Sequence, residues 1–291
     1  MSLEKILADL IQKVERRFYG KYRGIVVDNA DPENLGRLKV KVPSVLGSDV
    51  ATGWALPCVP YGGDADLGFL FIPEVNGGVW VEFEEGDLEF PVWVGTFWSK
   101  PGGDSELPKP DKPDGTEESA VQDPPTRKII KTKKGHTVQF EDADNDEMVL
   151  IKEAVNGHVI SMNKDGIKVT DGKNGHTITL DNSGITITDG VNSGNRISMD
   201  SNGLKAEDKN SNAVVLESAG VTVKGSQIKI GDGASEPLVL GNQLNTALMQ
   251  WINSVYAVHM HTGNLGAPTT PPVPGAPLNL ASAMSQTNTV K

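Results

Sequence analysis

From about residue 132 to 231 the chain repeats a two-strand unit, and this repeat limits the available folds more than any other feature. In four copies a pair of apolar residues at i and i+2 is followed by a short turn and a second pair. Ile160 and Met162 precede Ile167 and Val169, Ile178 and Leu180 precede Ile185 and Ile187, Ile197 and Met199 precede Leu204 and Ala206, and Val214 and Leu216 precede Val221 and Val223. Alternation with polar residues marks strands that bury one face. The turns read NKDG, DNSG, DSNG and ESAG, and each ends on a glycine (Gly166, Gly184, Gly203, Gly220) directly before the second pair, where a tight hairpin needs positive φ. A looser copy pairs Val138 and Phe140 with Val149 and Ile151 across EDADNDE, and Ile228 and Ile230 form a final half-copy.

Each copy offers about four aliphatic side chains on one face, worth about 1.5 to 3 kcal/mol apiece when buried. A two-stranded ribbon is marginal in water and cannot bury such a face alone. Wrapping within one chain usually takes about three strands in a coil of about 20 residues, and this repeat has only two. Three chains supply the missing walls: a homotrimeric β-prism, with Ile, Val, Leu and Met inside and Thr, Ser, Lys, Asp and Asn outside.

The rest of the chain is a different material. No aromatic residue lies between Phe140 and Trp251, whereas residues 54–98 carry Trp54, Tyr61, Phe69, Phe71, Trp80, Phe83, Phe90, Trp93, Phe97 and Trp98. Residues 1–20 read as an amphipathic helix with Leu3, Ile6, Leu7, Leu10, Ile11, Val14 and Phe18 on one face and Gly20 as its stop. Residues 21–99 hold short strands at 22–28, 38–42, WALPCV, GFLFI, GVWVEF and PVWVGTFW, a pattern that predicts a small closed barrel of the oligonucleotide/oligosaccharide-binding (OB) type. Residues 100–131, rich in Pro, Gly and acids, predict an extended linker before the shaft of 132–239. Residues 240–262 predict a second helix, through Leu244, Leu248, Trp251, Val255 and Val258, sitting three to a trimer at the shaft's end and followed by His259-Met260-His261. Residues 263–291 form a Pro/Gly-rich tip or tail. The fold class expected is mainly β.

A net charge of −11 argues against a nucleic-acid partner, which needs clustered Lys and Arg. The single Cys58 excludes an intrachain disulfide framework and reads as a small buried hydrophobe. The start MSLEKILADL lacks the basic opening and apolar run of a signal peptide, so secretion by the general pathway is not expected.

The segments YRGIVVDNADPENLGRLKVKVPSV and FIPEVNGGVWVEFEEGDLEFPVWVGTFW, with the later hairpin repeat, resemble the baseplate spike proteins of contractile phage tails, their relatives in phage-like injection systems and the valine-glycine repeat proteins of type VI secretion. The resemblance covers roughly residues 20 to 291 and implies a structural, cell-puncturing spike. It implies a trimeric OB barrel attached to the tail hub and baseplate proteins, with an intertwined trimeric β-helix pointing at the target cell envelope. The implied location is the baseplate of a virion or injection machine, assembled in the bacterial cytoplasm. Two departures stand out: no lysozyme-like segment separates barrel and shaft, and the C-terminal tail leaves open a bare point or a platform for a tip-sharpening protein.

Among candidate sites, His259 and His261 project to one side of an extended segment, so threefold symmetry would gather six imidazole nitrogens. The resemblance implies an iron ion there, one per trimer, and imidazole suits iron, zinc or nickel. The alternative is a solvated pair near a helix C-terminus. His136, His158 and His176 recur as Gly-His in successive repeats and read as polar residues beside a turn in preference to a metal ladder. EDADNDE lacks the glycine and glutamate spacing of a calcium loop. Arg127, Lys128, Lys131, Lys133 and Lys134 could touch phosphate, with a charged, soluble start to the shaft as the simpler reading. The rival functions are a polysaccharide-degrading tailspike, a single-chain β-solenoid binding module and a single-strand-binding barrel. The first lacks aromatic platforms along the shaft. The last has only Lys21, Arg23, Arg37, Lys39 and Lys41 as bases in an acidic barrel.

Overall fold

A computed structural model describes residues 3–7, 11, 17–191, 194–230, 232 and 241–270. The protein is mainly β and divides into two compact units, residues 1–210 with 214–221 and residues 211–213 with 222–291.

Strands β1 (Tyr22–Asp28), β2 (Lys39–Lys41), β3 (Leu56–Pro57), β4 (Gly78–Phe83) and β5 (Pro91–Thr96) form a sheet in the order β2-β1-β4-β5-β3. A single turn of helix, α1 (Pro43–Leu46), follows β2. The sheet closes because Leu38 and Ala55 exchange backbone hydrogen bonds of 3.0 and 2.7 Å, and the Thr52 amide donates to the Val40 carbonyl. Alternation along β4, with Val79, Val81 and Phe83 inward, puts these side chains into one core with Val26, Leu38, Val40, Val42, Ala55 and Trp93. This is the expected OB-like barrel.

Its β1–β2 loop is pinned by Asp31. The carboxylate accepts hydrogen bonds from the Arg37 guanidinium and from the amides of Glu33, Leu35 and Arg37, so it is held well below the usual carboxylate range, chiefly by Arg37. A depressed native pKa stabilises the fold above the unfolded value and is lost as pH falls through the folded one. Asp31→Asn should therefore melt several degrees below the parent at neutral pH, and the gap should begin to narrow below about pH 4 and close only as pH falls through the much lower folded value. Parallel melting curves across pH check this.

Three expectations for this part of the chain need correction. Residues 3–7 and 11 are helical, but 17–19 are not. Phe18 lies outside any helix, donating its amide to the Gly86 carbonyl at 2.8 Å and packing its ring against Tyr22 and Phe83. The aromatic cluster of the barrel competes successfully for a residue assigned by spacing to a helix stripe; Leu10 and Val14 lie outside the described residues. GFLFI is not a strand either. It belongs to an irregular loop over residues 58–72, in which Tyr61, Leu67, Phe69, Leu70 and Phe71 are exposed. Cys58 is exposed as well, not buried.

Eleven strands then follow in strict sequence order: β6 (Arg127–Lys131), β7 (Thr137–Glu141), β8 (Met148–Glu153), β9 (His158–Asn163), β10 (Gly166–Thr170), β11 (Thr177–Asp181), β12 (Gly184–Thr188), β13 (Arg196–Asp200), β14 (Gly203–Glu207), β15 (Ala213–Glu217) and β16 (Gly220–Lys224). The turns form as the motif demands. Asn163, Asp181 and Asp200 each accept, through a side-chain oxygen, the amide two residues on, at 2.7 to 2.9 Å. Gly166, Gly184, Gly203 and Gly220 then open the next strands at φ of 135, 131, 141 and 134°. The sheet begins at Arg127, inside the segment expected to be a linker.

Candidate functional site

The register of the sheet stacks the repeat's apolar pairs into two rows running across the strands. One row is Ile130, Val138, Ile151, Ile160, Val169, Ile178, Ile187, Ile197 and Ala206. The other is Phe140, Val149, Met162, Ile167, Leu180, Ile185, Met199 and Leu204, with Lys128 at its start. On the opposite face the central row turns polar after its start: Ile129, Gln139, Leu150, Ser161, Lys168, Thr179, Thr186, Ser198 and Lys205. Within one chain the double apolar row stays uncovered, with Ile178, Leu180 and Ile187 still 39, 37 and 42% exposed. A continuous aliphatic surface this long marks a contact face.

The other face is covered at its beginning, by residues read from composition as an unpacked linker. Residues 110–118 fold as a strap: Glu118 donates its amide to the Pro110 carbonyl and Lys112 to that of Thr116. The Asp111 backbone and the Gln139 side-chain amide bond each other at 2.8 and 2.9 Å, both fully buried. Lys152 reaches Asp111 at 2.8 Å, and Lys131 pairs with Glu117. Under the strap Met148, Leu150 and Val159 form a second small core. Glu141 closes the arrangement. Burial works to raise its pKa, but hydrogen bonds from Thr126, Ala143, Arg127 and Gln122 outweigh that and bring it to about 2.

This strap also settles the basic cluster. Arg127 pairs with Glu118 and Glu141, Lys128 with Asp142, Lys131 with Glu117, and Lys133 with Glu74. Four of the five cations are thus spent on the chain's own carboxylates instead of facing a phosphate. The acidic turn 141–147 supplies two of those partners, Glu141 and Asp142. The recurrent histidines are likewise tied locally: His158 Nδ1 lies 3.0 Å from Asp171 and His176 Nδ1 3.1 Å from Asp189, with His136 3.8 Å from Glu153. Each links one loop to the next along the sheet edge. No cluster of three or more His, Cys, Asp or Glu suited to a metal exists among the described residues.

In the other unit, α2 (Gly241–Trp251) runs on through a wide turn, Ile252–Tyr256, into the extended His259-Met260-His261. The His259 and His261 rings stand 5.0 Å apart, edge to face. His259 Nδ1 meets the Tyr256 carbonyl, which leaves Nε2 as the outward nitrogen, and His261 is held by Thr269 on both its backbone groups. One chain therefore presents two oriented imidazoles, an incomplete donor set. Residues 263–270 form a turn closed by Gly263 and Ala267, and residues 271–291, read as tip or tail, lie outside the described residues.

Spacing also gave no hint of the exposed barrel loop as a surface. With residues 34–36 it borders an open cleft of about 880 Å³ lined by Leu35, Pro57, Val59, Tyr61, Phe69 and Ile72. The run of four apolar residues Phe69-Leu70-Phe71-Ile72 was the available signal, and it fits a contact loop as well as a strand.

No helix among the described residues is long and apolar enough to cross a membrane. Comparison with curated proteins finds no match. Comparison with protein families finds two, in the order the architecture requires. Residues 22–98 match the type VI secretion system/phage-baseplate injector OB domain, which covers the closed barrel. Residues 128–191 match the phage baseplate V C-terminal trimerisation domain, which covers the sheet from β6 to β12 with that part of its double apolar row and supports a homotrimer. Matches to an injector OB domain and to a baseplate V trimerisation domain, one after the other in a single chain, support a baseplate spike protein of the kind found in phage tails and type VI secretion.

Proposed function

We propose that three copies form the puncturing spike at the centre of a contractile tail baseplate, joined to the tail hub through the barrels and driven against the target envelope by sheath contraction. The observation that carries this reading is the double apolar row over β6 to β14, uncovered in one chain and lying, as far as β12, in the segment that matches a trimerisation domain. Closing three such faces on one another leaves a shaft with few free strand edges, polar outside and bonded strand to strand along its length. The role is structural. Paired carboxylates beside an aromatic sugar platform, which a depolymerase needs, do not occur on the polar row of the shaft. The exposed loop over 58–72 supports attachment to other baseplate proteins, because a barrel acting alone gains nothing from so many exposed aromatics.

Within this reading His259 and His261 would hold iron, three pairs to one ion, as a staple for the trimer. The fit rests on the freed Nε2 of His259 and on the closeness of the two rings. Light scattering coupled to metal analysis of the same peak tests both parts. A mass of three chains is expected, with about one iron per trimer that is lost on double replacement of His259 and His261 by Ala. A monomeric mass would sink the spike reading, and a trimer free of iron would sink the staple alone.

A further inference from the structure

We propose that α2 and the turn after it form a second trimer contact, a short parallel three-helix bundle in which two further copies of this chain cover the stripe at 244–258. The inference rests on the trimeric reading above and extends it to the other unit.

On α2 Leu244, Leu248 and Trp251 are separated by 4 and 3 residues, the rhythm of alternating d and a positions in a heptad, and Val255 and Val258 follow at 4 and 3 in and after the wide turn that continues it. The helical segment buries none of its residues within its own chain, and Leu244, Trp251, Val255 and Val258 remain 42, 54, 50 and 55% exposed. A helix of 11 residues is marginal in water without tertiary support, so its apolar stripe calls for a cover.

The chemistry of the polar side says which cover. A helix lying on a membrane surface carries Lys and Arg opposite its apolar stripe. Here the side opposite is Gln243, Thr246, Gln250 and Asn253, and no Asp, Glu, Lys or Arg occurs anywhere from residue 237 to 290. Neither attraction to anionic lipid nor charge pairing with a foreign helix is on offer. Identical copies need neither. A trimerisation sheet in the same chain tethers three α2 segments at high effective concentration, which offsets the brevity of the heptad run. The bundle also gives Trp251 a role, as the widest layer of a core otherwise built from Leu and Val.

Disulfide trapping in the full chain tests this. With the exposed Cys58 replaced by Ser, one cysteine is introduced by Leu248→Cys, inside the stripe, or by Asn253→Cys, on the opposite side. Light scattering before oxidation should give three chains for both. Mild oxidation should then yield covalent dimers on a denaturing gel, about tenfold more from the Leu248→Cys chain than from the Asn253→Cys chain. Equal yields from intact trimers would overturn the bundle and leave the shaft standing. A monomer before oxidation would overturn both.

Discussion

Ile185→Asp should abolish the trimer: light scattering should give the mass of one chain, or the protein should fail to stay soluble. Ile185 lies in the second apolar row, directly across from Leu180 in β11 and Met199 in β13. The substitution forfeits about 1.5 to 3 kcal/mol of burial in each of three chains. It also brings three carboxylates into one layer, and desolvating an unpaired ion costs several kcal/mol before their mutual repulsion is counted. Summed over the shared layer, the loss is comparable to the roughly 5 to 15 kcal/mol by which a folded domain is typically stable, enough to prevent assembly while the carboxyls stay ionised. Thr186→Asp is the control. It alters the adjacent residue, whose cross-strand partners are Thr179 and Ser198 on the polar face, and should leave the trimer intact. A carboxyl forced into the apolar layer escapes by taking up a proton, so partial assembly of the Ile185→Asp protein should return on acidification. A trimer of parental stability at neutral pH would remove the double row from the interface.

What the sequence showed of this molecule and what it hid divide along physical lines. Period-2 alternation and a glycine at fixed spacing are local signals, and they located the repeat hairpins, in which the structure pairs Ile178 with Ile187 and Leu180 with Ile185. The barrel was legible through quoted segments whose strands, β1, β2, β4 and β5, formed where alternation placed them. The strap was not legible, because Asp111 is ordered by Gln139 and Lys152, far along the chain, and nothing in a Pro-rich acidic stretch announces such partners. One clue existed on the other side of the contact. Met148 to Ile151 is apolar at every position, and a strand apolar on both faces is buried on both, so a second layer had to exist there. GFLFI shows the converse failure, since apolar residues in an exposed loop look like a core strand until a structure places them at the surface. The histidine pair stands between these cases: its spacing was plain, and the structure brings the two rings within 5.0 Å, but one chain supplies only these two imidazoles.

Gly184→Ala should damage the shaft far more than Gly220→Ala, although both glycines end the same turn motif at nearly the same φ, 131 and 134°. An L-residue held in this region costs about 1 to 3 kcal/mol, and a trimer incurs it three times. The two sites differ in what lies beyond. A Cβ on Gly184 would stand 2.0 Å from the Met199 carbonyl oxygen and 3.1 Å from Asp200 Cα, both backbone of the neighbouring strand β13. No rotamer relieves that contact, so β12 and β13 must part, and with them the Ile185–Met199 and Ile187–Ile197 pairs of both apolar rows. Gly220 opens the last strand, and a Cβ there meets nothing within 4 Å. Gly166 and Gly203 face the carbonyls of Leu180 and Leu216 at 2.0 and 1.9 Å and should behave like Gly184. Thermal unfolding followed by circular dichroism, with trimer mass beforehand, separates the two effects. Gly220→Ala should remain trimeric and melt within a few degrees of the parent; Gly184→Ala should fail to assemble or lose more than about 10 °C. Equal losses at the two positions would mean that conformational strain alone selects glycine, and that the strands of the repeat are free to separate at the turn without loosening the shaft.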